Sequence, residues 1–299
     1  MLSGQEFNLQ SAGDDTQGVV FDNRPTAVSW RDWFDKRLET KADGIGLRPS
    51  LSSQEWSLLR AMEPATQELL EARSLLRRTD TKFMFPRHQM EHVLRAMQTR
   101  FHLVWSGEAL VGNYQTRYFD TEELRFFHEH RRGMRPRKKV RIRTYLERNL
   151  GFIEVKSKDK YGVTRKNRQP YTGSDFQLSD NDERFVLDQV SAPSVCRSVQ
   201  VDFPRLTLVC SDVNERITFD LGLSMEWKGK RIELPELVVG EIKQDRFRPR
   251  SPGMDALLRR KIRPIRMSKY CVAMCILREA IPVHRFRSTL REVMRQHDA

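Results

Sequence analysis

Long apolar runs are missing from this chain of 299 residues, and hydrophobic residues make up only 38% of it. A bilayer-spanning helix needs about 20 consecutive apolar residues, so none is expected. Cysteine is scarce: Cys196 and Cys210 stand apart, and Cys271 and Cys275 lie one helical turn from each other. No Cys-x-x-Cys occurs, and no histidine lies at zinc-finger spacing from them. That argues against a zinc module and for small buried side chains in a reducing compartment. The start, Met-Leu-Ser-Gly-Gln-Glu, lacks the basic and apolar segments of a signal peptide. A cytoplasmic location is therefore expected. Acidic residues are outnumbered, with 40 Asp+Glu against 53 Lys+Arg, a formal charge of +13 and a pI near 9.8. Such a balance implies an anionic partner: nucleic acid, an acidic membrane surface, or a polyphosphate-like molecule.

What is present divides at about residue 50. Residues 1–50 are polar with no sustained period, and a mostly disordered arm is expected there, Trp30, Trp33 and Phe34 excepted. The remainder, 51–299, reads as one domain. Ser52 and Glu55 form a capping-box pattern before a helix carrying Trp56, Leu59 and Met62, which Pro64 ends. A second short helix is expected up to Arg78, then a strand to Phe85. Apolar residues three and four apart predict a helix over His88–Phe101. A strand over Tyr114–Asp120 follows. His128 and His130 alternate with Glu129 in what reads as a solvated loop, with no third metal ligand in view. Residues 169–195 read as an insertion with one helix near Asp182–Gln189. Glu226–Lys230 reads as a loop. Helices are expected after Pro264, with Ser268, Lys269 and Tyr270 in the first turn, and over Ser288–Gln296.

Between these, charge and hydrocarbon alternate with a period of two. Lys139, Arg141, Arg143 and Tyr145 share one face of a strand, and Val140 and Ile142 share the other. A turn at Asn149-Leu150-Gly151 leads to a partner strand with Glu154 and Lys156 on one face. The pattern returns with Phe203, Arg205 and Thr207, with Arg216, Thr218 and Asp220, and with Val239, Glu241 and Lys243. A charged face is ordinarily the wet side of a sheet. Here nearly all the charges on the first strand are cations, which repel at this spacing unless an anion lies between them. Across the presumed common face, Lys82, Arg141, Arg143, Lys156, Arg205, Arg216, Lys243 and Lys269 oppose only Asp80, Glu154 and Glu241. Turned inward, that excess needs an anion of comparable charge, and a triphosphate fits. The guanidinium fork can bond two phosphate oxygens, and carboxylates can hold a divalent metal bridging phosphates.

These residues carry a resemblance. Asp80-Thr81-Lys82-Phe83, Tyr118-Phe119-Asp120-Thr121, Val140-Arg141-Ile142-Arg143-Thr144-Tyr145, Glu154-Val155-Lys156, Arg205, Arg216 to Asp220, Glu241-Ile242-Lys243 and Ser268-Lys269-Tyr270 occur in an order that resembles the VTC domain. That is the catalytic domain of the vacuolar transporter chaperone polyphosphate polymerases and their bacterial relatives. The resemblance implies an α+β protein: an antiparallel β-barrel, the CYTH-like triphosphate tunnel, with helices packed outside. It implies Lys82, Arg141, Arg143, Lys156, Arg205 and Arg216 as catalytic phosphate binders, and Lys243, Ser268 and Lys269 as substrate binders. Glu241, aided by Glu154, would hold Mn2+ or Mg2+. The expected activity is transfer of the γ-phosphoryl group of ATP to a growing polyphosphate chain. A metal-dependent tripolyphosphatase or nucleoside triphosphatase, and a non-catalytic polyphosphate-binding module, stay open as alternatives. ATP and inorganic polyphosphate are the expected partners; nucleic acid and a membrane span are not, and a membrane-protein partner is compatible with this reading. The domain is expected to stand alone, without an inositol-phosphate-sensing domain or membrane helices. Two departures stand out. Asp80 replaces a usual Glu, and Phe203-Pro204 precedes Arg205 where a Tyr is expected.

Overall fold

A computed structural model of the protein describes residues 51–73, 75, 78–278, 281–297 and 299. The arm expected over 1–50 lies outside the described residues. The capping box closes as expected: the Glu55 amide donates to Ser52 Oγ at 3.1 Å and the Ser52 amide to Glu55 Oε2 at 2.8 Å, opening helix α1 (Ser53–Arg60). Helix α2 (Gln67–Ala72) ends well short of Arg78. Strand β1 (Thr79–Pro86) leads through a single 3-10 turn into α3 (Met90–Met97). Phe101, expected in that helix, instead opens β2 (Phe101–Val104), where ladder bonds to the Cys210 segment override the local spacing. Then come β3 (Val111–Asp120), α4 (Arg125–Arg132), β4 (Arg137–Tyr145), β5 (Leu150–Lys158), β6 (Thr164–Pro170), α5 (Asp180–Leu187), β7 (Cys196–Cys210), β8 (Glu215–Trp227), β9 (Lys230–Gln244), α6 (Pro252–Leu258), α7 (Lys269–Leu277) and α8 (Arg287–His297).

Two expected loops are corrected. His128 and His130 lie in α4, because the distant Asp120 carboxylate accepts from the Phe126 and Phe127 amides at 2.8 and 2.9 Å and caps the helix. The expected loop at Glu226–Lys230 is a two-residue hairpin turn, with Lys228 and Gly229 both left-handed at φ 45° and 79°.

The strands form one sheet in the order β1-β9-β8-β7-β3-β4-β5-β6, with β2 beside β7, and every neighbouring pair is antiparallel. The ladder does not close: β1 pairs with β9 and β6 with β5, not with each other. A barrel requires the last strand's hydrogen bonds to return to the first, so the expected closed barrel is replaced here by an open sheet. Register sorts the side chains. Phe83, Phe85, Leu206, Leu208, Ile217, Phe219, Val238 and Ile242 are buried beneath α1, α3 and α6. Phe119, Val140, Ile142, Ile153 and Val155 are buried with Val186 of α5. Each such side chain contributes about 1.5–3 kcal/mol. A one-residue slip would expose whole rows of them, so hydrocarbon fixes the register and the cations must share the opposite face. Helix α7 is apolar nearly all round, as a helix enclosed by protein must be, and packs on β7, β8 and α4. Proline, which cannot donate to a ladder, is accommodated in the central strand β7 by a register shift between Asp202 and Arg205. Among the described residues no helix is long and apolar enough to cross a membrane.

Candidate functional site

Neighbouring strands lie about 4.8 Å apart, so a flat sheet would set β1 and β4 roughly 24 Å from each other, beyond the Debye length of about 10 Å. Their side chains are much closer. Lys82 of β1 helps to depress the pKa of Lys139 of β4, and Asp80 of β1 acts on Lys156 of β5. The sheet therefore curls until its charged face looks at itself across a concavity. Helix α7 crosses this space at its N-terminus: Lys139 Nζ donates to Ser268 Oγ at 3.0 Å, and Lys269 pairs with Asp220 of β8. A helix N-terminus facing the concavity further favours an anion.

The sequence-predicted strand residues stand on this face, with Ser268 and Lys269 beside it at the start of α7, and ion pairs organise most of them. Glu241 takes Lys82 on one oxygen and Lys243 on the other, the latter at 2.8 Å. Arg205 grips Asp220 with both prongs, at 2.5 and 3.0 Å. Glu154, only 1% exposed, is held by Arg141 at 2.5 Å and Lys166 at 2.6 Å. An unpaired carboxylate at that depth costs several kcal/mol, so these two cations are required wherever Glu154 is charged. Arg143 Nε donates to Thr116 Oγ1 at 3.2 Å. Arg216 lies opposite Lys243 in the β8–β9 register. Lys156 lies opposite Lys139 on one side and Lys166 on the other. Asp80 sits 3.3 Å from Arg78.

The structure adds to the face. Lys139, Lys166 and Arg168 join the cations, and Asp220 joins the carboxylates. Lys139 was legible on the right face of its strand. The other two come from β6, where Asn167 turns outward to Gln189 at 2.6 Å and Lys166 and Arg168 lie inside, opposite Lys156 and Glu154. Cations still far exceed carboxylates, and the proton equilibria report it. Burial pushes the Lys139, Lys243 and Lys269 amines down, with Arg205 adding to the effect on the last two. Burial would raise the Tyr118 phenol, but Arg141, Lys139, Arg143 and Lys269 outweigh it and pull it down, so cations from β4 and α7 surround one hydroxyl. Burial also opposes charge on Glu241 and Asp220, yet Lys243 and Lys82 hold Glu241 well below the carboxylate range, and Arg205 and Lys269 hold Asp220 at about 2.

Lys156 is pushed down to about 8, by burial first and then by Lys139 and Arg141. Its side chain still reaches solvent. An anion prefers the protonated amine, which is present below pH 8 and lost above it. Tripolyphosphate affinity should therefore weaken from about pH 7 to about pH 9. Titration calorimetry on wild type and Lys156→Gln isolates this residue, because the ligand's own titration is common to both. Equal pH slopes would remove Lys156 from contact with the anion.

Among the described residues no three His, Cys, Asp or Glu side chains converge as a metal-binding cluster. A hard divalent cation bound together with phosphates needs only one or two carboxylates, the rest of its shell being phosphate oxygen and water. Glu241 fits that requirement, since its partners are flexible lysines that can turn to a phosphate. Glu154 fits it poorly, being enclosed by Arg141 and Lys166.

Comparison with known proteins agrees with the order of the motifs. The profile of the VTC domain matches residues 77–278. No curated protein sequence matches the chain. Among solved structures, a putative adenylyl cyclase from Hippeastrum, described as having a dominant triphosphatase activity, is 12% identical; the match covers 69% of this chain and 99% of that one, with a TM-score of 0.38. The PH1819 protein of Pyrococcus horikoshii OT3 is 12% identical over 61% of this chain and 87% of its own, with a TM-score of 0.34. At TM-scores this low, the likeness carries no weight for function.

Proposed function

The chain belongs to the VTC domain family, and on that premise we propose that it is a polyphosphate polymerase, moving the γ-phosphoryl group of ATP onto the end of a polyphosphate chain. The observation that carries this reading is the convergence of cations from β1, β4, β5, β7, β8, β9 and α7 on one concave face whose own carboxylates cannot neutralise them. Arg141, Arg143, Arg205 and Arg216, with Lys82, Lys156, Lys243 and Lys269, hold the phosphates in line, and Ser268 donates beside them. Phosphoryl transfer asks for positioning and charge neutralisation, which fixed cations supply. Glu241 would hold Mn2+ or Mg2+, which would supply positive charge to offset that of the phosphates. Glu154 keeps Arg141 and Lys166 in place. The expected cytoplasmic location belongs to the same reading.

The inner carboxylates also bear on the choice between polymerase and hydrolase. Glu154, Glu241 and Asp220 are each clamped by two cations, and Asp80 lies beside Arg78. A carboxylate held near pH 2, as Asp220 is, is a poor general base for water. A polyphosphate terminus is already ionised and needs no base. Purified protein with ATP and Mn2+ should yield long chains on a polyphosphate gel, together with ADP. Phosphate release without chains would establish the hydrolase instead.

A further inference from the structure

Rows of like charge continue past the site toward the start of β4. On the inner face Lys139 lies opposite Lys156, and Lys156 opposite Lys166; the next row sets Arg137 opposite Lys158. Cations directly opposed across a ladder repel. Neither row contains a carboxylate, unlike the row behind them, where Glu154 lies between Arg141 and Arg168. Nearby carboxylates are committed elsewhere: Asp120 caps α4 and accepts from Tyr270, and Glu129 accepts from Arg125 at 3.0 Å. The His130 imidazole is pushed down to about 3, by burial first and then by Lys139, Arg137, Lys156 and Lys158, which sets these four around one ring. Arg135 acts electrostatically on both Arg137 and Lys158, and stands over the β5–β6 turn, where a Cβ on Gly162 would come within 2.9 Å of its Nη1.

We propose that Arg137, Lys158 and Arg135 form an outer track for linear polyphosphate, on which the chain rests as it passes between the site and solvent at the end where β4 begins. This rests on the polymerase reading and adds to it a direction for the polymer and residues outside the motif set. Rows lie about 7 Å apart, so the outer row is roughly 13 Å from the Arg141 row. Only a chain of more than a few units occupies both. Exposed Met134, Tyr161 and Val163 lie on the turns nearby, and a membrane surface would use those. The cations favour the chain, because Arg137 and Lys158 continue the inner face in register with the site.

The test compares tripolyphosphate with long-chain polyphosphate by calorimetry, on the full chain carrying Arg137→Gln and Lys158→Gln. Long-chain affinity should fall about tenfold, while tripolyphosphate affinity stays within about twofold. Lys158→Gln alone, at the strand's end, serves if the double variant fails to fold, with the same ordering expected. Equal losses on both ligands, or no loss on either, overturn the proposal. So does lost binding to phosphatidylserine vesicles with long-chain affinity intact. Failure of the polymerase reading itself looks different: with wild type binding both ligands as described, ATP and Mn2+ then give no chains, while the ligand-length contrast still decides the track.

Discussion

Alanine at both Arg141 and Arg143 should lower tripolyphosphate affinity by at least about a hundredfold. The two guanidiniums sit side by side on the inner face of β4, one beside Glu154 and the other beside Thr116. Hydrogen bonds to charged groups contribute about 1.5–3 kcal/mol each, so losing two predicts a drop of about 3–6 kcal/mol. Part of the alanine effect will fall on stability, because buried Glu154 loses Arg141 and keeps Lys166 beside it. Breaking such a pair costs about 3–5 kcal/mol. A second double variant, Arg141→Lys with Arg143→Lys, separates the two effects: it keeps both charges and loses the planar forks. Its melting temperature should stay near wild type while its affinity falls to an intermediate value. A folded alanine double variant that binds within about threefold of wild type would falsify the enclosed phosphate site.

Glu241→Gln should reduce metal-dependent turnover by about a hundredfold or more, the scale expected when a metal's charge stabilisation is lost. Without metal, its affinity for tripolyphosphate should rise. The sign follows from the ion pairs: Glu241 neutralises Lys82 and Lys243, and the amide releases both ammonium groups to the anion. A residue that only ordered the two lysines would behave otherwise, with binding and turnover falling together. Calorimetry without metal and turnover with Mn2+ titrated across a range distinguish the two. The first role predicts a raised metal requirement, the second an unchanged one.

Local chemistry was readable where one residue's neighbours decide its state. The Ser52–Glu55 box, the strands carrying Phe203, Arg205 and Thr207 and Val239, Glu241 and Lys243, and the helix with Ser268 at its start are all legible, because capping and period-two alternation are properties of a few consecutive residues. Where the fold departs from local pattern, a partner distant in the chain is the cause. α4 exists because Asp120 caps it from the far side of a turn, and Phe101 joins a strand because Cys210 pairs with it. Lys166 and Arg168 reach the inner face because β6 pairs with β5 in a register that sets them against Lys156 and Glu154.

The amino-acid sequence by itself determined which side chains share a strand face, and so determined that cations would be gathered in rows. Alternation forces that, and burial of the apolar rows is strong enough to hold it. Whether the rows would look outward or at each other was decided only by tertiary structure. The curl that brings Lys82 toward Lys139, the open edge between β1 and β6, and α7 laid across the concavity depend on the twist of the strands and on helices packed behind them. No run of consecutive residues encodes those, since they arise from the sum of contacts between segments far apart in the chain.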